Sequence, residues 1–137
     1  MGLILDTSAL IAGERGGQTV RQTLQRVRAV HGEIEVAISA ISVVEFTHGI
    51  YRAKTDADRQ QRQAFSEEVY RDLIVHPVTL EIARLAGQIE GEQAALGNII
   101  AFEDLVIGAT ALHLCFDVLT VNVKHFQRIP ALNVIAF

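Results

Sequence analysis

Leu3-Ile4-Leu5-Asp6 places a carboxylate directly after a short, continuous apolar run. Three consecutive aliphatic residues suit a strand covered on both faces, because a half-exposed strand would alternate apolar and polar residues. An acid closing such a strand is costly to bury unless it is paired or bound to a cation. Asp6 therefore calls for an account beyond a solvated strand end.

Working outward, the same alternation of short apolar runs and helical periodicity recurs. Val20, Leu24, Val27 and Val30 fall at helical spacing within 18–30, and Val36-Ala37-Ile38 reads as a second strand. Ser42 is expected to open a helix reaching about Ala53, and Asp56 another that carries Phe65, Val69 and Leu73. Residues 73–78 read as a third strand, which Pro77 favours ending. Thr79 caps a helix with Ile82, Leu85, Ala86 and Ile89 on its buried stripe, ending near Gly97. The most apolar helix is expected over Glu103 to Cys115, where Gly108 and Ala111 permit close packing. Val118–Val121 and Val134–Phe137 complete the set as strands. Strands alternating with helices specify an α/β fold: a three-layer α/β/α sandwich around a mostly parallel, short-stranded sheet.

At 137 residues the sequence is expected to make one domain, 1–137, with one core and no appended module. Half of it is hydrophobic before its ten Gly are counted, whereas ordinary domains reach about 45–50% with Gly included. That excess predicts a partner or a self-interface. The net charge of −4 argues against a dedicated nucleic-acid coat. The charge is uneven, however: Arg15, Arg21, Arg26 and Arg28 lie in an acid-free stretch, and Lys124 and Arg128 in another. Such local patches are compatible with a polyanionic substrate, as they are with plain solvated faces. The lone Cys115 is expected to be a buried thiol in a reducing compartment. No run approaches a membrane helix, and the start does not read as a signal peptide, so a cytoplasmic protein with no membrane role is expected.

In open parallel sheets, ligands sit beyond the carboxyl ends of the strands. Asp6 ends the first strand, Glu45 is expected in the first turn of the helix after the second, and Asp104 in the first turn of the late helix. Asn122 and His125 follow the fourth strand. Each acid has a plainer explanation: Asp6 as a cap, Ser42-x-x-Glu45 as a capping box, Asp104 as a partner of the helix dipole. Together, carboxylates crowded at one edge repel unless a cation holds them, and Mg²⁺ suits two or three carboxylates with open positions. Spacing alone reaches a metal-dependent hydrolase.

Residues 3–11, Ile41-Ser42-Val43-Val44-Glu45-Phe46, the segment Phe102 to Leu112, and Leu119 to Phe126 then follow in the order found in PIN domains. The chain most closely resembles the VapC-like toxins of bacterial type II toxin–antitoxin systems, nearly end to end. The resemblance implies a Mg²⁺- or Mn²⁺-dependent endoribonuclease acting on RNA, usually a homodimer or part of a larger assembly, and held inactive by a cognate antitoxin. It assigns Asp6, Glu45 and Asp104 as metal-binding and catalytic acids. Ser8, and less closely Thr7, match the hydroxyl beside the first acid, and Asn122 the polar residue before the fourth acidic position.

That fourth position is His125 here. Neutral imidazole binds Mg²⁺ poorly and favours Mn²⁺ or Zn²⁺; an orienting, proton-donating or phosphate-contacting role is open to it, as is that of a surface histidine beside Lys124. Asp117 precedes its strand and belongs at the opposite edge, while Glu103 points about 100° away from Asp104 on a helix. Arg15, Arg21, Lys124 and Arg128 are candidate RNA guides. The helix bearing Phe46, Ile50 and Tyr51, with the region around Phe65, offers a groove for an amphipathic antitoxin helix.

Two other enzyme classes fit poorly. A haloacid-dehalogenase-type phosphatase needs a second Asp where Ser8 stands, and a receiver domain needs an acid pair and a phosphorylatable Asp that Val75-His76-Pro77 does not offer. The alternative of another class is a PIN-fold binding module, catalytically weak or silent, that pairs with an antitoxin or RNA. His125 favours it; the three intact acids oppose it.

Overall fold

The computed structural model describes residues 1–137. Five strands form one parallel sheet: β1 (Gly2–Leu5), β2 (Glu35–Ser39), β3 (Ile74–His76), β4 (Asp117–Thr120) and β5 (Val134–Ala136), in the order β3-β2-β1-β4-β5. β1 lies in the middle, with Ile4 opposite Ala37 of β2 and Val118 of β4. Its four residues are buried throughout, as a continuous apolar run requires.

The pleat divides the core in two. Ile4, Ala37 and Val118 face one layer, built from α5 (Leu80–Ala95), α6 (Phe102–Leu114) and the short α7 (Val123–Phe126). Leu3, Leu5, Val36, Ile38 and Leu119 face the other, with α1 (Thr7–Arg15), α2 (Val20–His31) and α4 (Asp56–Asp72). The helix α3 (Ala40–Tyr51) leaves β2 and serves both, sending Ile41 to the first cluster and Phe46 to the second. The expected three-layer sandwich is present, and its sheet is parallel throughout.

Several local expectations are corrected. α3 starts at Ala40, with Ser39 as its cap accepting from the Ile41 N–H at 3.2 Å. Ser42 lies inside the helix, buried, and its hydroxyl has no partner. The Ser42–Glu45 capping box therefore does not form, and Glu45 sits in the second turn rather than the first. A capping box does occur at Thr19 and Gln22, where α2 begins. Val30, placed on the apolar stripe of that helix, is exposed because the stripe ends at Val27. Cys115 is exposed rather than buried: it follows the last residue of α6 in a left-handed conformation, φ 58°, which turns it out of the helix. Two helices were absent from the periodicity: α1 and the four-residue α7.

Gly108 performs the packing role expected of it. A Cβ there would lie 2.5 Å from Cδ1 of Ile129 and 3.4 Å from Leu132, so with α6 at its present distance from the chain leading into β5 the Ile129 side-chain tip would have to shift to admit it. Ala is the better helix former by about 1 kcal/mol, and here the collision opposes that gain. Removing the colliding methyl with Ile129→Val separates the two effects. The double variant Gly108→Ala/Ile129→Val is expected to be more stable than the sum of the single changes by about 0.5–1 kcal/mol, the scale of coupling between touching residues. Urea unfolding midpoints of the four proteins measure it.

Candidate active site

Asp6 stands at the carboxyl end of β1, its N–H bonded to the Leu119 carbonyl at 3.0 Å. It occupies the position that precedes α1 but makes no side-chain cap. Its carboxylate turns instead towards two hydroxyls, Ser8 Oγ at 2.7 Å and Thr120 Oγ1 at 2.8 Å. Both donate to Oδ2, which leaves Oδ1 unengaged by either. The hydroxyls are themselves oriented by backbone donors: Val121 N–H to Ser8 Oγ at 3.3 Å, and Asn122 N–H to Thr120 Oγ1 at 2.9 Å. The nearly buried acid is thus paired, as its cost requires.

Glu45 reaches the same edge from α3 and accepts from Thr7 Oγ1 at 2.9 Å. Burial raises its pKa, the Thr7 hydrogen bond lowers it, and the neighbouring charges of Asp6, Glu103 and Asp104 raise it again. Asp104, in the first turn of α6, is pushed from 3.8 up to about 6, first by burial and then by the charge of Asp6; His125 opposes this and Glu103 adds to it. His125 Nδ1 lies 3.5 Å from Asp104 Oδ2, with the ring more than half exposed. The fold therefore brings Asp6, Glu45 and Asp104 to one edge, with Thr7, Ser8 and His125 touching them.

Other expected positions fare differently. Asn122 contributes its backbone N–H, while its side chain makes no cap and is exposed. Arg15 lines a cleft that continues from Glu45, whereas Arg21 faces Asp72 at 3.8 Å on the α2–α4 side. Lys124 is exposed on α7 beside His125, and Arg128 is exposed just after that helix. Asp117 begins β4, at the opposite edge, as anticipated. Helical geometry points Glu103 away from Asp104, yet its charge acts on both Glu45 and Asp104. Thr120 was missed altogether. Its signal was a hydroxyl closing a buried strand directly alongside Asp6.

No three His, Cys, Asp or Glu side chains close on a single point tightly enough to enclose an ion. The donor chemistry nonetheless fits a hard cation. Burial and the charge of Asp6 raise the proton affinity of both Glu45 and Asp104, and Mg²⁺ keeps several waters while binding directly through one or two carboxylates. Asp6 Oδ1 is available for that contact.

Residues 3–132 match the family model of the PIN domain. The chain belongs to the PIN-domain family. Along nearly the whole of this PIN domain run relatives named ribonucleases: Ribonuclease VapC of Rickettsia bellii is 34% identical over 98% of the chain and 96% of its own length. Ribonuclease VapC1 of Rickettsia felis is 32% identical with the same coverage. Among solved structures, VapBC2 from Rickettsia felis bound to a promoter DNA fragment superposes with a TM-score of 0.85, covering 100% of this chain and 99% of that one at 22% identity, a likeness of fold. VapBC-5 from Mycobacterium tuberculosis gives 0.72 at 27% identity, over 99% and 96% of the two chains.

The raised pKa of Asp104 has a consequence for the metal-free PIN domain. A carboxyl that binds its proton more tightly when folded adds stability at low pH, and that stability is lost as pH rises from 3.8 through about 6. Asp104→Asn removes the cost of burying that charge and its repulsion by Asp6. Above pH 6 the metal-free variant is expected to melt about 3–6 °C higher than wild type, from relief of about 1–2 kcal/mol in a domain of this size. Its advantage should shrink below pH 4. Thermal melts in chelator across pH 4–8 check the sign; a lower Tm for the variant at neutral pH would contradict that cost.

Proposed function

We propose that the chain is an endoribonuclease that hydrolyses RNA phosphodiester bonds with Mg²⁺ or Mn²⁺, and that it acts as the toxin of a type II toxin–antitoxin pair. The observation that carries the reading is the meeting of Asp6, Glu45 and Asp104, from β1, α3 and α6, at the carboxyl edge of a parallel sheet. The end-to-end similarity to proteins named Ribonuclease VapC supplies the reaction class.

Asp6, Glu45 and Asp104 are the residues that would hold the ion. A divalent cation bound there would supply an acidified water and offset charge on the phosphodiester. The chain's own side chains set the stage for that chemistry. Ser8 and Thr120 fix the Asp6 carboxylate in one rotamer, presenting Oδ1 outward. Thr7 orients Glu45. His125 flanks Asp104 with most of its ring in solvent, placed to hold a proton near the departing oxygen. Lys124 and Arg128, exposed on and just after α7, contact the RNA backbone in this reading.

The cognate antitoxin and a second copy of the chain are the protein partners. Val44 and Tyr51 on α3, and Leu96, Ile99 and Phe102 around the α5–α6 turn, leave apolar surface in solvent for them. Phe46 is not available to such a groove, because it is buried against Phe65 and Tyr70. No helix is long and apolar enough to cross a membrane.

Calorimetric titration of Mn²⁺ and then Mg²⁺, followed by cleavage of an RNA panel, tests the reading. Wild type should bind and cleave, and Asp6→Asn should do neither while keeping its fold by circular dichroism. Retained cleavage in Asp6→Asn would overturn the assignment. Thr120→Val, which removes the supporting hydroxyl and leaves all three acids, should cost about 10–100-fold in metal affinity or activity, the usual effect of losing a group that orients a metal ligand.

A further inference from the structure

A cleft of about 480 Å³ opens between α1, α3 and α4 and shares Thr7 and Glu45 with the carboxylate edge. Its rim carries three guanidiniums, Arg15, Arg52 and Arg62. None of them has a carboxylate partner, although Arg21, Arg28, Arg59 and Arg71 are each within 4.0 Å of an acid. Arg62 is held in place by donating to the Gly49 carbonyl at 2.6 Å, which joins α4 to α3 across the cleft and leaves its other donors free. Phe65 forms part of the wall, its half-buried ring set edge-on to Phe46 at 5.9 Å between centroids. Glu14 is the remaining charge, half-buried, with its pKa raised by burial against the opposing pull of Arg15 and Arg62.

Three unpaired cations in a concavity that begins at the scissile centre are an unusual arrangement on a chain of net charge −4. They match a phosphate, because a guanidinium presents paired donors to phosphate oxygens. The aromatic wall matches an unstacked base. The volume falls in the range that encloses a small ligand of about nucleotide size.

We propose that this cleft is the subsite for the nucleotide next to the scissile phosphate of a single-stranded RNA. In it Arg15, Arg52 and Arg62 hold the flanking phosphate, Phe65 stacks on the base, and Glu14 accepts a hydrogen bond from an exocyclic amine. The proposal rests on the ribonuclease reading for its scissile centre and deepens it by naming what reads the neighbouring base. Glu14 is thus a specificity residue: it favours cytosine, adenine or guanine over uracil, which lacks the amine.

The test separates this inference from the nuclease assignment by measuring binding without cleavage. A labelled single-stranded RNA of mixed sequence is titrated in chelator against full-length Asp6→Asn protein carrying Arg52→Gln, Arg62→Gln or, as control, Arg84→Gln on α5. Each cleft variant should weaken binding about five- to tenfold and lower the salt slope by about 0.7, the single-strand value per phosphate contact, while the control leaves both unchanged. The Arg52 side chain makes no hydrogen bond or ion pair, and its backbone N–H bond to the His48 carbonyl survives substitution, so Arg52→Gln keeps the fold even if Arg62→Gln disturbs it. In the cleavage-competent wild-type background, with Mn²⁺ present, Glu14→Gln should flatten the preference for amine-bearing bases at one position beside the cut. Unchanged affinity and slope in both cleft variants would overturn the proposal. So would unchanged RNA binding accompanied by loss of antitoxin inhibition, which would assign the cleft to the protein partner. A wild type that cleaves no RNA, yet binds it through Arg52 and Arg62, would retire the nuclease reading and leave the subsite standing.

Discussion

The bond between Thr120 Oγ1 and Asp6 Oδ2 ties the ends of the two central strands into one polar unit. Without it and its companion from Ser8, a carboxylate would sit almost buried at the head of an apolar strand with nothing to balance it. A neutral-to-charged hydrogen bond contributes more than an ordinary one, and leaving a buried charge unpaired costs more still. The cost of burying Asp6 is therefore offset locally, and the sheet order follows the same logic. β1 must neighbour β4 for Thr120 to lie beside Asp6, and the register Leu5 opposite Leu119 places the two ends level.

The remaining acids inherit their positions from that sheet. β2 pairs with β1 on the other side, so α3 leaves at the same edge and carries Glu45 back over it. α6 packs across β1 and β2 and starts at the same end, which brings Asp104 into the field of Asp6. None of these positions depends on a long loop. Strand ends and the opening turns of α3 and α6 define the site, and the charge of Asp6 acts there on both Glu45 and Asp104.

Much of this was legible in the sequence. Continuous apolar runs such as Leu3-Ile4-Leu5 specify strands with two covered faces, and the order of elements then specifies a parallel sheet. Asp6, Glu45 and Asp104 stood out because each lies where a parallel sheet exposes its functional edge. The failures have equally local causes. Ser39 and Ser42 are both acceptable caps, and the choice between them depends on β2 pairing with β3 as far as Ser39 opposite His76, a tertiary fact. α1 spans only nine residues, includes a glycine and gave no readable stripe. Thr120 looked like an ordinary strand residue, since threonine is common in sheets. Arg52 and Arg62 are distant in sequence for a helical reading, and they meet only because α3 and α4 pack together.

The charge pattern argues for recognition at short range. A body of net charge −4 does not attract a polyanion from a distance, and at physiological ionic strength any field beyond about 8 Å is largely screened. The cations that matter are those free to engage a phosphate within that distance. Elsewhere on the surface, Arg21, Arg28, Arg59 and Arg71 face carboxylates and contribute little net attraction. In the cleft beside Glu45, Arg15, Arg52 and Arg62 have no such partners, and neither has Lys124 on α7. An acidic body disfavours indiscriminate polyanion binding, and on the proposed reading the unpaired guanidiniums near the carboxylates would favour RNA that already fits the edge of the sheet. Selectivity then arises from contacts made at the site, and the overall acidity of the chain becomes part of that selectivity rather than an objection to it.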